Sequence, residues 1–335
     1  MKENGKDTAS AIGIDIGTSR IVVARKNEVD VKFRAQLNAF VTVPYSKLTE
    51  TVLKKERVPC VKQGSRIVVH GDESEKFADL LHVELRRPMT RGLLNAQEGE
   101  SLEWVAQIIR LLVGEAGGEG TNVCFSTPAA PPGEEENLTY HEAAVRQILE
   151  GLGYKASSIN EGLAVVYSEL ESSDYTGIGI SCGGGLCNVC LAYLSVPILS
   201  FSVPKAGDFI DCSAAAVTGE LPTRVRMTKE GAFQLNGHFP DKIHQALVVY
   251  YDDMIQTLVN GLRDALSSCT SLPKMGRAIP LVLSGGSTLP IGFRDRFEKV
   301  LKESDFPIEL SSIQLAKIPL YTTAQGALVA AQLEQ

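Results

Sequence analysis

The sequence predicts an α/β protein made of two similar halves, and three observations carry that expectation. Strand-like and helix-like stretches alternate along most of its 335 residues, the pattern that lays helices against sheets. A glycine-turn hairpin occurs near the start, AIGIDIGTSRIVVA from Ala11 to Ala24, and again half a chain later, TGIGISCGGGLCNVCLA from Thr176 to Ala192. A motif repeated at half-length implies repeated architecture. The length, at roughly 150 residues per domain, suits about two domains, each with its own core.

Composition narrows the class. With 44% hydrophobic and 22% charged residues, the chain is globular rather than disordered. A net charge of −7 argues against coating nucleic acid. No apolar run reaches the length of about eighteen residues that a membrane span needs. The opening MKENGKDTAS has neither the apolar centre of a signal peptide nor the apolar face of a membrane anchor. A cytoplasmic protein with no direct membrane insertion and no nucleic-acid partner is therefore expected. The seven cysteines sit mostly in apolar runs, as buried thiols do. Cys187 and Cys190 invite a metal reading, but they lie on an alternating strand, where residues three apart face opposite sides. The five histidines are scattered and form no HExxH pair.

Taken in order, each hairpin is a short β-branched strand, a tight Gly/Ser/Thr turn and a second apolar strand. A polar stretch from about Asn38 to Glu84 follows the first, holding strand-like runs such as SRIVVHG. After Arg86-Arg87-Pro88, GESLEWVAQIIRLLVGEAG predicts an amphipathic helix with Leu102, Val105, Ile108, Ile109 and Leu112 on its apolar face. NVCFSTP predicts a strand, and the Pro/Gly-rich Ala129 to Gly133 leads into EEENLTYHEAAVRQILEGLG. That segment has acids in its first turn and glycine at its end, as a helix favours. EGLAVVYSEL predicts another helix. In the second half, KAGDFIDCSAAAV predicts a helix entry and is followed by a Pro/Gly-interrupted stretch to Pro240. A long helix is expected from about Lys242 to Ser268, then strand IPLVLSGG, and finally the small-residue helix TTAQGALVAAQL.

The chain has neither a GxxxxGK[ST] loop nor a properly placed GxGxxG. What it does have is Asp15 ending a strand before Gly17-Thr18-Ser19. An acid beside a turn with outward amides suits hydrated Mg²⁺ and phosphate. On local sequence alone, an Asx-type turn accounts for Asp15 equally well.

Five segments, in order, resemble the actin, sugar-kinase and heat-shock-chaperone ATPase superfamily: GIDIGTSR the first phosphate loop, INEGLAVVYSEL a connecting helix that opens with a catalytic acid, SCGGGLCN the second phosphate loop, LSGGSTLP the adenosine loop, and TTAQGALVAA the second connecting helix. They span Gly13 to Ala331. RRPMTRGLLNAQEGESLEWV and LSFSVPKAGDFIDCSAAA are similar to segments of the bacterial actins of the MreB and MamK type.

The resemblance implies an actin-like fold of two ribonuclease-H-like halves around a nucleotide cleft. Its domains would be 11–158 plus 318–335, with an outer subdomain at about 36–85, and 159–317, with a reduced outer subdomain at about 219–240. The expected ligands are ATP (or GTP) and Mg²⁺. Asp15 would hold the metal through water and Glu161 would act on the attacking water. Gly17, Thr18, Ser19, Gly183, Gly184 and Gly185 would hold phosphate. Gly207 and Asp208 would approach the ribose, Lys229 and Glu230 would flank the nucleoside, and Gly285, Gly286 and Ser287 would receive adenosine. Asp211 is expected to stabilise its helix entry rather than touch ligand.

The second phosphate loop departs from the family pattern. Ser181 stands where an aspartate is usual, and Leu186-Cys187-Asn188 replaces Thr-Thr-Asp. Ser181 can hold the metal through a bound water but brings it no charge, so slow hydrolysis, or binding without turnover, is expected. Function then follows as a filament-forming cytoskeletal protein that self-associates, with an organelle or membrane adaptor as a further partner. The alternative is a non-polymerising scaffold or chaperone-type protein with a degenerate nucleotide clamp. A sugar kinase is disfavoured, because nothing resembles that group's catalytic aspartate.

Overall fold

Strand β1 (Ile12–Ile16) and strand β2 (Arg20–Lys26) form the first hairpin, and β3 (Val31–Leu37) continues the sheet antiparallel to β2. A computed structural model describes residues 11–27, 30–83, 85–117, 120–130, 135–231, 233–270 and 276–334. The N-terminal MKENGKDTAS and most of the Ala129–Gly133 run lie outside the described residues.

A small outer body follows: β4 (Phe40–Pro44), α1 (Lys47–Lys55), β5 (Cys60–Gln63), β6 (Arg66–His70) and α2 (Asp72–Leu81), with strand order β4-β6-β5. Ser46 caps α1 by accepting from the Thr49 amide, which satisfies one free N–H of the first turn. The two-residue strands β7 (Met89–Thr90) and β8 (Leu93–Leu94) turn back through Arg91 and Gly92. Helix α3 (Ser101–Val113) buries Trp104 together with Val105, Ile108, Ile109 and Leu112. The sequence reading put Leu102 on that face. It is exposed, because the apolar stripe begins at Trp104, which stacks on Phe40 of the outer body with ring centroids 5.2 Å apart. Strand β9 (Asn122–Thr127), α4 (Glu135–Gly151) and β10 (Lys155–Asn160) complete the first sheet in the order β10-β9-β1-β2-β3.

The second half repeats this plan. Helix α5 (Glu161–Glu169) leads into the hairpin β11 (Gly177–Cys182) and β12 (Cys187–Tyr193), then β13 (Val196–Val203). Next come α6 (Gly207–Thr218), α7 (Pro222–Gly231) and α8 (Lys242–Ser268), then β14 (Ile279–Ser284), α9 (Phe293–Lys302), β15 (Leu310–Leu315) and α10 (Thr322–Leu333). The sheet order, β13-β12-β11-β14-β15, mirrors that of the first half strand for strand, with three antiparallel strands and then two parallel ones. Helix α8 occupies the range its periodicity predicted. The Pro/Gly-interrupted stretch before it holds a helix the sequence reading did not name, α7, which starts at Pro222, a residue favoured in a helix's first turn.

Three large cores result. One lies between the first sheet and α3 and α4. One lies between the second sheet and α6, α8 and α9. The third is shared, with α5 and α10 packed between the two sheets. Cys187 belongs to the second and Cys190 to the shared core, so the pair faces opposite sides of β12. Among the described residues no group of three or more His, Cys, Asp or Glu is placed to hold a metal.

The shared core depends on helices that nearly touch. A Cβ on Gly326 of α10 would lie 1.8 Å from the Ala164 carbonyl oxygen of α5. Gly151, at the end of α4, has open space around it. Gly326→Ala is therefore expected to lower stability by about 1–3 kcal/mol through forced separation. Gly151→Ala should be neutral or slightly stabilising, as glycine-to-alanine changes in helices usually are. Thermal unfolding of the two variants checks this, and equal melting temperatures would remove the packing argument.

Candidate functional site

A cavity of about 600 Å³ lies between the halves, lined by the turns that follow β1, β11 and β14. Ligands of α/β sheets gather at such carboxyl ends of strands. The two hairpin turns close alike: the Gly17 amide donates to the Arg20 carbonyl (3.0 Å) and the Gly183 amide to the Leu186 carbonyl (2.9 Å). Among the described residues, the amides of Thr18, Ser19, Gly184 and Gly185 donate to no protein acceptor. Such amides form an anion-binding concavity. The loops also touch each other, since a Cβ on Gly184 would lie 3.0 Å from the Ser19 Cβ and one on Gly185 2.4 Å from the Thr18 hydroxyl oxygen. The Thr18 hydroxyl, expected on phosphate, instead accepts from the Gly92 amide at 2.8 Å. It ties the first loop to the β7–β8 turn.

Two carboxylates sit beneath these loops. Asp15, near the end of β1, accepts from the Ser126 hydroxyl at 2.8 Å, and that hydroxyl oxygen accepts from the Ile16 amide at 3.0 Å. Glu161 opens α5. Asn160 caps the helix through the Gly162 and Leu163 amides, which leaves the Glu161 side chain free for the cavity. Its Oε2 accepts from the Ser181 hydroxyl at 3.2 Å and from Asn188 Nδ2 at 2.9 Å. Ser181 and Asn188 are direct partners in the β11–β12 register, so both side chains point to one face. Asn188 Oδ1 in turn accepts from the Ala129 amide at 2.9 Å. Burial, and then the charge of Asp15, push the Glu161 carboxyl up to about 8. Burial pushes Asp15 up to about 6, against the lowering by Ser126.

Toward the cleft mouth, the first turn of α6 supports the second loop. The Gly207 and Asp208 amides donate to the Gly183 and Gly184 carbonyls at 3.1 and 2.8 Å, and the Ser287 hydroxyl also reaches the Gly183 carbonyl, at 2.8 Å. Asp208 pairs with Arg87 of the first half at 2.6 Å. Lys229 donates to Asp211 Oδ2 at 2.8 Å and to the Gly207 carbonyl at 3.1 Å. Glu230 is half exposed at the rim, 3.9 Å from Arg226. Arg226 of α7 pairs with Glu75 of α2, joining α7 to the small outer body. Gly285 and Gly286 line the cavity beside the exposed apolar Leu289, Ile291 and Leu320.

The structure thus brings Asp15, Glu161, Ser181, both glycine loops, Gly207, Asp208, Lys229, Glu230 and the Gly285–Ser287 loop to one cavity. Asp211 sits a turn inside α6, buried, lining the cavity and paired with Lys229. The sequence reading also missed Ser126, Arg226 and the grip of Asn188 on Glu161. Their partners lie far away along the chain. Only for Asn188 was there a signal, its place opposite Ser181 in a hairpin.

Residues 10–331 match the family model described as Volactin. The chain belongs to the volactin family. No curated protein matches it. Among solved structures, this volactin is similar to the MamK double helical filament, with 16% identity, a TM-score of 0.71, and 96% of this chain and 98% of that one covered. The non-polymerising MamK A278D mutant bound to AMPPNP matches with 16% identity, a TM-score of 0.59 and the same coverages. The ethanolamine utilization protein EutJ from Carboxydothermus hydrogenoformans matches with 15% identity, a TM-score of 0.55, and 96% and 89% covered. The actin-like fold and the bacterial-actin resemblance read from the sequence are borne out.

The raised carboxyls have a measurable consequence. A group whose folded value lies above its unfolded one stabilises the fold below the unfolded value, and that contribution is lost as pH rises through the folded value. For Glu161 the window runs from its ordinary 4.5 to about 8. In metal-free protein, Glu161→Gln is expected to gain in melting temperature over the parent steadily across that window. A difference that does not change with pH would show that Glu161 is not held protonated.

Proposed function

We propose that this volactin is an actin-like, filament-forming protein that closes around a Mg²⁺-bound nucleoside triphosphate, ATP or GTP, and hydrolyses it slowly. The observation that carries the reading is the meeting of two loops with unused amides directly above Asp15 and Glu161. A side chain at Gly185 would clash with the facing loop and one at Gly184 would crowd it, which favours a cradle of backbone, as a close phosphate contact requires.

The donor set fits Mg²⁺ as well. That ion keeps several waters and takes one or two carboxylates along with substrate phosphates, which Asp15 and Glu161 can supply without a dedicated cage. Bound there, it would neutralise charge on the phosphate oxygens. Asp15 would hold its waters. Glu161 would orient the attacking water or accept its proton. A carboxyl kept protonated by burial is a poor base, and Ser181 adds no charge beside it, both of which favour slow turnover.

In this reading the halves are 11–158 with 318–335, and 159–317, with outer bodies at about 36–85 and 219–240. The printed descriptions of the MamK structures, one a filament and one bound to AMPPNP, support self-association and nucleotide binding. Exposed apolar residues at two unlike ends of the second half also suit it: Leu194 and Val196 on the β12–β13 turn, away from the cleft, and Leu221 and Met227 at α7, beside it. Contacts between unlike surfaces propagate rather than close. An organelle or membrane adaptor is the further partner expected, and among the described residues no helix is long and apolar enough to cross a membrane.

Saturating Mg-ATP or Mg-GTP is expected to raise the melting temperature, since a ligand held about 100-fold above its Kd stabilises by about 2.7 kcal/mol. Asp15→Ala should remove most of the shift. No shift with either nucleotide would overturn the nucleotide reading.

Sedimentation with nucleotide should show a critical concentration, and Leu194→Glu should raise it severalfold. A monodisperse particle under every nucleotide would leave only the non-polymerising clamp.

A further inference from the structure

Asn188 stands where the family pattern ends its second phosphate loop with an acid, and its surroundings show what the amide does instead. It lies on β12, 1% exposed, with both ends of its side chain engaged. Oδ1 accepts from the Ala129 backbone amide at 2.9 Å, and Nδ2 donates to Glu161 Oε2, also at 2.9 Å. A backbone N–H can only donate. Turning the Asn188 amide over would set Nδ2 against that N–H, donor facing donor. The end that meets Glu161 is therefore a donor.

The consequence falls on the two oxygens of Glu161. Oε2 takes two donors, Asn188 Nδ2 and the Ser181 hydroxyl, which stand opposite each other in the β11–β12 ladder. Oε1 takes no donor among the described residues. It is also not one of the partnerless side-chain atoms sealed from solvent, and Glu161 lines the cavity. The carboxyl thus has a held edge and an open edge. Rotating it to exchange them would break both bonds to Oε2 at once, so the open edge stays turned to the cavity.

We infer that Asn188 is a positioning residue: pinned by the Ala129 amide, it holds Glu161 by Oε2 and so presents Oε1 to the attacking water, a task an aspartate at 188 cannot perform. The inference rests on the hydrolysis reading above and deepens it by naming the working oxygen. An aspartate could still accept from Ala129, but its other oxygen has no hydrogen to give Oε2. Two acceptors would meet at that contact, and a third carboxyl would join Asp15 and Glu161 on a desolvated floor. Restoring the acid of the family pattern therefore slows this chain rather than repairing it.

The test has two arms. In the first, hydrolysis and binding of Mg-ATP and Mg-GTP are measured on the parent, Asn188→Asp and Asn188→Leu. Both variants should lower kcat, roughly tenfold to a hundredfold, the scale of a misplaced reacting group. The nucleotide Kd should stay at the parent's value, because the lost bond is to Glu161 and not to the glycine loops. Asn188→Asp as fast as the parent or faster overturns the inference, since the chain would then have been short of an acid. A Kd that weakens in step with the fall in kcat overturns it too, by marking a general loss of the site. The second arm needs no turnover: the side-chain amide signals of Asn188 are followed by NMR in ligand-free protein. They should move with Glu161→Ala and much less with Asp15→Asn, and signals indifferent to Glu161→Ala overturn the inference. If Asn188→Asp does not fold, Asn188→Leu and the amide signals decide. A parent that binds nucleotide without hydrolysing it takes the positioning role down with the hydrolysis reading, and one that binds neither nucleotide fails the nucleotide reading itself.

Discussion

The contact on which the rest of the structure depends is the crossing of α5 and α10, where Gly326 lies against the backbone of Ala164. Each helix is fastened to the sheet of one half in the same way. Gly13 of β1 meets the Ala324 carbonyl of α10, and Gly179 of β11 meets the Gly162 carbonyl of α5. Small residues let backbones approach until little beyond main chain separates the layers. The spacing of the two sheets is therefore set by main-chain dimensions, which do not vary with rotamer. Because α5 begins at Glu161 directly after β10, that spacing also fixes where Glu161 enters the cavity relative to Asp15.

The electrostatics follow from that placement. Two carboxyls are brought to one desolvated floor, and each raises the cost of ionising the other. The chain answers with neutral donors: Ser126 on Asp15, and Ser181 and Asn188 on Glu161. These orient the carboxyls without cancelling their charge, and burial holds both above their ordinary values. Two charged pairs bridge the cleft instead. Arg87 with Asp208 and Arg226 with Glu75 each join the first half to the second.

Much of this was legible in the sequence, and the boundary is physical. The hairpins, α8 and the glycine loops depend on local periodicity and turn chemistry, which a sequence displays directly. The apolar face of α3 was misjudged at one position because Trp104 packs against Phe40, a neighbour no helical period reveals. The family resemblance located the residues around the cavity, but not their bonds. Glu161 was placed at the second loop, yet the two donors that hold it were read as missing acids. Arg226 and Asp211 were outside the expected site, since their importance comes from burial and from partners on other elements.

The near-symmetry of the halves makes one chemical difference between their hairpins informative. Asp15 pairs with Val22 and Ser181 with Asn188 at matching points of two equivalent hairpins. In the first half the strand ends in an acid facing an apolar partner. In the second it ends in a hydroxyl facing an amide, and both of those turn to Glu161. A second acid at position 181 would place a third carboxyl on the same floor, which without a cation is strongly unfavourable. The Ser181–Asn188 pair removes that charge and uses its hydrogen-bonding capacity to fix the remaining acid. A floor with fewer charges carries less repulsion when no cation is bound, so the Ser181–Asn188 pair fixes Glu161 without adding to the cost of burying it.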